Sequence, residues 1–281
     1  MSWDSLTEPF AFEFFRNGLV VATIAGALCG MVGVYVVLRG MSYIGHGLSH
    51  SIFGGAVASS VAGINVLLGA AVWGFASALL INGVTRRRVI GGDAAIGVIT
   101  TAAFAIGVAL ISARRSFSRN FDALLFGNVL GVERSDILVV SLVALGAAVV
   151  VFLGYRQLLF TTFDPEVAET SGLSTARVDA VFSLVLAMSI IATMRVLGVT
   201  LIAATLVVPP VVARMLTNSF ARMLVISTVI GSACGFVGMY ASFRLDIASG
   251  ASIVLTGAVL FVVVFAVTGA QARRRLGHVH V

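Results

Sequence analysis

His46 and His50 stand four residues apart in the stretch Gly45-His46-Gly47-Leu48-Ser49-His50-Ser51, inside an apolar run. On an α-helix that spacing puts both imidazoles on one face, one turn apart. Neutral imidazole is a good ligand for zinc and related ions, and two at this spacing can share one ion. The glutamate of a zinc-protease HExxH motif is absent, so a metalloprotease is not indicated. Ser49 and Ser51 bring hydroxyls to the same stretch. A plainer reading makes the pair a set of interhelical hydrogen bonds that hold a bundle. Two of only four histidines on one apolar face favour a site for an ion. The remaining two, His278 and His280, read as part of a frayed tail with weak metal affinity at most.

A second polar feature is Thr161-Thr162-Phe163-Asp164-Pro165-Glu166-Val167-Ala168-Glu169-Thr170-Ser171-Gly172-Leu173-Ser174. Asp164 suits an N-cap and Pro165 the first helical position. Glu166 and Glu169 fall in the first turns, where the helix dipole favours anions. Gly172 is a natural stop. The segment predicts a helix of about two turns on the inner membrane surface. It is either a plain connector or a docking element for a partner protein.

The rest of the chain must hold these residues in a membrane. Of 281 residues, 59% are hydrophobic and only 11% charged. The mean hydropathy is +1.08. A soluble domain carries about 25% charged residues. Apolar runs at Asn17–Leu38, Ser42–Ala62, Val66–Val84, Ala94–Ser112, Ile137–Leu153, Val178–Met194, Leu197–Ala213, Met223–Phe243 and Ala251–Gly269 predict an all-α, polytopic bundle of eight or nine spans. Residues 1–281 then form a single transmembrane domain, with the surface helix near 163–174. Several runs are short enough to suggest broken or tilted helices. Pro209-Pro210 should kink or break the seventh. Asp93 reads as a cap for the fourth, Leu125-Phe126-Gly127-Asn128 as a turn beside the membrane, and Leu245–Gly250 as a short cap between the last two spans.

The net charge of +6 comes entirely from arginine; the chain has no lysine. The Arg86-Arg87-Arg88 and Arg273-Arg274-Arg275 clusters belong on the cytoplasmic side. That path puts Arg39, Arg156, Arg177, Arg214 and Arg222 inside, and Arg16, Arg134, Arg195 and Arg244 outside. Arg114, Arg115 and Arg119 also fall outside and weaken the bias. No long basic face exists, so nucleic-acid binding is not indicated. Cys29 and Cys234 are widely separated and read as packing residues. Gly26/Gly30/Gly33 and Gly231/Gly235/Gly238 recur at spacings that let helices approach closely. The acidic N-terminal residues Asp4, Glu8 and Glu13 do not suit a cleavable signal, so the first run reads as a retained span.

Taken in order, these pieces resemble the permease subunits of ABC importers for zinc, manganese and iron. The resemblance runs over almost the whole chain. It rests on Gly33–Tyr43, Leu48-Ser49-His50-Ser51, Asp93-Ala94-Ala95-Ile96-Gly97, Leu125-Phe126-Gly127-Asn128, Phe163–Ala168 with Gly172, Val207–Arg214, and Leu245-Asp246 with Ser249-Gly250-Ala251. It implies a type II importer fold in the bacterial inner membrane and a homodimer of permeases. Two cytoplasmic ATP-binding subunits and a periplasmic or surface-anchored metal-binding protein are its implied partners. The segment with Phe163, Asp164, Pro165, Glu166 and Gly172 matches the coupling helix that docks on the ATPase. The helix with His46 and His50 matches one proposed to line the ion path. Zinc, or else manganese or iron, is then cargo, and no permanently bound cofactor is expected. Many members carry an acidic residue where this chain has His46. Imidazole in that place favours zinc over manganese.

Lacking lysine, the chain has no Gly-x-x-x-x-Gly-Lys-Ser/Thr loop, so ATP hydrolysis falls to a separate subunit. Three other readings stand beside this one. A secondary transporter needs carboxylates within the spans, and Asp93, Asp136, Asp179 and Asp246 all sit near ends. An intramembrane metalloenzyme needs a third ligand and a general acid or base. A permease for a metal chelate needs a wide cavity without ligands, against which the histidine pair argues.

Overall fold

A computed structural model describes residues 7–86, 90–114, 125, 127 and 131–277, with residues 111, 114 and 270–277 described by backbone alone. Arg87, Arg88, Arg115, Arg119, Phe126, Asn128, His278 and His280 lie outside the described residues. After a 3-10 turn at Glu8–Ala11, the order is α1 (Glu13–Leu38), α2 (Ile44–Val61), α3 (Val66–Arg86), α4 (Gly92–Arg114), α5 (Arg134–Leu153), α6 (Tyr155–Phe163), α7 (Pro165–Thr170), α8 (Thr175–Leu197), α9 (Ile202–Leu216), α10 (Phe220–Leu245) and α11 (Ser249–Gly277). Among the described residues every regular element is helical. Hydrocarbon leaves no alternative for an open chain, since a helix satisfies its own N–H and C=O groups.

Each apolar run carries a helix, with revised bounds. The first helix begins at Glu13 rather than Asn17, and the sixth at Thr175 rather than Val178. A polar residue in a terminal turn reaches water or headgroups, so it does not end a helix. Seven helices are long and apolar enough to cross a membrane: α1, α3, α4, α5, α8, α10 and α11. The two apolar runs that fall short are informative. One is α2, which carries the histidines; the other is α9, which carries the prolines.

The expected seventh run, Leu197–Ala213, is corrected most. Gly198, at φ +77°, stops α8, and a turn precedes α9 at Ile202. Of the kink or break expected at Pro209-Pro210, the break does not occur; α9 runs through both, and both are buried. A proline removes the N–H that would bond the carbonyl four residues back. Pro210 therefore frees the Leu206 carbonyl. That oxygen lies where a Cβ on Gly33 would sit 1.9 Å away. Neighbouring backbone thus crowds around the position the proline opens.

Asp93 lies inside the first turn of α4, which begins at Gly92, and is not its cap. Its carboxylate still faces the positive end of the helix dipole. The segment between α5 and α7 is also more ordered than a polar loop. Tyr155–Phe163 forms α6, unforeseen in the sequence, and absorbs Thr161-Thr162-Phe163.

Two groups of helices share a centre. Helix α1 packs most extensively on α10, then on α9 and α5. Helix α2 packs between α3 and α4. Helix α8 touches both groups, and α9 bridges α1 to α2. The α1–α10 seam is made by glycine. A Cβ on Gly26 would meet the Gly231 carbonyl oxygen at 2.1 Å, and one on Gly235 would meet that of Ala22 at 2.2 Å. Ser227 Oγ donates to the Gly30 carbonyl at 2.6 Å across the seam. The glycine spacings are thus used for close packing.

Arg86 and Arg195, expected on opposite sides, lie at opposite ends of α8. Arg86 bonds Thr175 at the start of α8, and Arg195 pairs with Asp136 near its end. A 23-residue helix separates such ends by about 34 Å.

The close approach of α1 to α9 gives a direct test. Gly33→Ala forces Cβ against backbone and should destabilise the bundle by about 1–3 kcal/mol. Gly97→Ala, where nothing lies within 4 Å, should leave stability unchanged or slightly raised. Thermal unfolding of the detergent-solubilised protein compares the two.

Candidate functional site: an imidazole pair and a capped surface helix

Helix α2 starts one short turn after α1. Its glycines let neighbours come close: a Cβ on Gly45 would meet Leu206 of α9 at 2.9 Å, and one on Gly47 would meet Ile96 and Thr100 of α4 at 2.8 Å. This crowding fixes the rotation of α2 and so the direction of its histidines. The two imidazoles lie edge to face, with centroids 4.4 Å apart. Tyr43 lies 5.6 Å from His46, and Phe104 lies 4.9 Å from His50. Both histidines are half-buried.

The hydrogen-bond pattern bears on the reading of the pair as bundle fasteners. No interhelical hydrogen bond ties either ring to another described residue, and His50 Nδ1 is buried without a partner. A buried polar nitrogen left unpaired costs about 1–3 kcal/mol. Bundle fastening is done by other groups. Ser49 Oγ donates to the His46 carbonyl at 2.8 Å and to the Val199 carbonyl in the α8–α9 turn at 2.9 Å. Ser51 and Ser77 share a hydroxyl bond of 2.5 Å, which ties α2 to α3. The serine hydroxyls, expected beside the ion, are thus engaged with neighbouring helices. Among the described residues no cluster of three or more His, Cys, Asp or Glu side chains is placed to hold a metal. The pair can hold an ion only with water or cargo-borne ligands completing its shell. Such a site suits passage better than storage.

At the end of the bundle that holds Arg39 and Arg86, α7 forms as its sequence requires. Asp164 caps it by accepting from the Val167 N–H at 3.0 Å, and Pro165 occupies the first turn. Gly172 takes φ +80°, which an L-residue with a side chain rarely adopts. Its N–H bonds the Glu169 carbonyl, and that of Leu173 bonds the Ala168 carbonyl, both at 3.0 Å. Ala168 is fully buried, while Phe163 is 59% and Val167 47% exposed. Pro165 and Glu166 are exposed as well. The end of α6 and α7 together therefore present an apolar strip, Phe163 and Val167, with acidic flanks, and α7 keeps one small residue inward. Phe163 also meets Phe220 of α10 at 6.0 Å, and Phe220 meets Tyr35 of α1 at 5.4 Å.

The sequence missed the groups that anchor this end. Arg39 pairs with Asp179 at 2.7 Å and donates to Thr161 and Thr162 at 3.0 and 3.1 Å. Residues more than a hundred positions apart meet here, and no local spacing announces that.

The pattern of the ABC 3 transport family covers residues 11–268. The chain belongs to that family. The manganese transport system membrane protein MntC of Halalkalibacterium halodurans is 34% identical, over 92% of this chain and 88% of its own length. The chelated iron transport system membrane protein YfeC of Yersinia pestis is 34% identical, over 92% of this chain and 88% of its own. Among solved structures, PsaBC from Streptococcus pneumoniae in complex with Fab matches with a TM-score of 0.83 and 29% identity. That match spans 94% of this chain and 95% of the other. This membership and the seven apolar spans make the chain a multi-pass bacterial membrane protein of importer-permease architecture.

The cap of α7 can be tested apart from transport. Asp164→Ala should loosen α7 by about 1 kcal/mol. Gly172→Ala should cost a similar amount. Hydrogen exchange over residues 164–173 should accelerate in both, with the spans unaffected.

Proposed function

We propose that the chain is the permease subunit through which an ABC importer carries a divalent transition-metal ion inward. The observation that carries this reading is the imidazole pair of α2, with its buried, unpartnered His50 nitrogen. A buried polar atom without a partner calls for an explanation, and beside a second imidazole on the same helix face a visiting ion supplies one. The whole chain serves as one transmembrane domain. Helix α7, with Phe163, Asp164, Pro165, Glu166 and Gly172, couples it to a cytoplasmic ATP-binding subunit. A metal-binding protein delivers the ion at the opposite end, and two copies of the permease line the path. His46 and His50 form a transient station, and binding there must be weak enough to release. ATP binding and hydrolysis in the partner move α7 and alternate the access of the path.

For the cargo, the chemistry of the pair favours zinc. Imidazole suits zinc and iron, whereas carboxylate, carbonyl and water suit manganese. A manganese cargo is the second reading. It is favoured by relatives named for manganese, such as MntC.

The test is uptake into vesicles by the chain reconstituted with its ATP-binding and metal-binding partners. Zinc, manganese and iron(II) are supplied separately. ATP-dependent zinc uptake should exceed manganese uptake. The His46→Ala/His50→Ala double variant should lose it by at least about tenfold, with the complex still assembled. Unchanged uptake in that variant would reduce the histidines to packing residues. Manganese preferred over zinc selects the second reading. Uptake without any ATPase overturns the ABC reading altogether.

A further inference from the structure

Helix α7 is joined to the bundle by an ion-pair chain whose strength falls from inside to outside. At its inner end Arg39 spends its guanidinium on Asp179, Thr161 and Thr162, and lies 4.7 Å over the Phe182 ring. Its side chain is 9% exposed. At the outer end Arg86 reaches Asp179 of α8 at 3.3 Å and Glu169 of α7 at 3.8 Å. The Arg86 and Glu169 side chains are 36% and 59% exposed. Thr175 Oγ1 accepts from Arg86 and donates to Glu169, so it bridges the same two groups. Buried, multiply bonded arginine holds firmly, while an exposed pair at this distance contributes little and parts easily. The inner pair is thus a fixed pin between α1, α6 and α8. The outer arginine has two carboxylates within reach on two different helices.

Arg86 is the last residue of α3, and α3 is joined to α2 by the Ser77–Ser51 hydroxyl bond, one residue from His50. A shift of α7 therefore has a mechanical route, from Arg86 along the length of α3 to the Ser77–Ser51 bond, to the helix that carries the imidazoles. We propose that Arg86 is a positioning residue: it exchanges between Glu169 and Asp179 as α7 moves, and so draws α3 and α2 with it. This rests on the reading of α7 as the coupling helix. Arg86 touches neither ATP nor cargo. Its function is to make ATP turnover in the partner productive.

The experiment uses the full reconstituted importer, with zinc and manganese as probes. It measures three quantities: assembly of the complex, ATP hydrolysis, and metal moved per ATP hydrolysed. Arg86→Gln and Glu169→Gln should each assemble and hydrolyse ATP within about twofold of wild type, yet move about fivefold less metal per ATP. The double variant should be no worse than Arg86→Gln alone, because both changes break one linkage. Arg86→Lys, which keeps the charge but not the fork, should recover part of the loss. Four results would overturn the proposal. They are transport and hydrolysis falling in equal proportion, losses that multiply in the double variant, no change in any variant, or loss of assembly in Glu169→Gln or Arg86→Lys. Failure of the underlying reading looks different. The wild-type chain would then bind no ATPase or show no ATP-dependent uptake.

Discussion

The structure depends on how closely the backbone of α1 approaches its neighbours. Gly26 and Gly30 lie against the backbone of α10, and Gly33 lies against that of α9. Within lipid there is little hydrophobic gain from bringing two apolar helices together, so packing and small polar contacts must hold them. Glycine makes backbone contact available, and the Ser227 hydroxyl adds one hydrogen bond to the Gly30 carbonyl. With α1 fixed, the remaining elements find their places. Its far end carries Arg39 into the pin with Asp179, and its Tyr35 ring seats Phe220 and Phe182.

Much of this was legible in the sequence because membrane rules are strict. Apolar runs of sufficient length have one use, and each of those identified carries a helix. The cap of α7 was legible because Asp164, Pro165 and Gly172 act within a few residues of one another. The relation of His46 to His50 followed from helical pitch alone. Where legibility failed, the deciding partner was distant in sequence. Nothing local shows that Arg39 meets Asp179 or that Ser51 meets Ser77. Helix α6 was missed because Arg156, Gln157 and the two threonines break its apolar pattern, although Leu158 and Thr161 are its buried face. The prolines of α9 were expected to disrupt it. Proline, however, abolishes hydrogen bonds only on its own strip of the helix, and that strip is turned toward a glycine.

The candidate ion site is sparse by design of its surroundings. The hydroxyls that could have joined the imidazoles are held elsewhere, and no third strong ligand stands near among the described residues. A metal enzyme needs a full, rigid shell to tune reactivity. A conduit needs the reverse. Each ligand withheld lowers affinity and shortens the stay of the ion.

The freed carbonyls of α9 have a mechanical meaning. A regular helix resists bending because every rung of its hydrogen-bond ladder must stretch. In α9 the rungs at Pro209 and Pro210 were never made, so flexing there breaks nothing. The same turn of α9 carries Leu206, which is wedged between Gly33 of α1 and Gly45 of α2, next to His46. The bundle thus contains a compliant joint beside its stiffest seam. Any bending of α9 falls at that joint, where Leu206 packs against Gly45, the neighbour of His46.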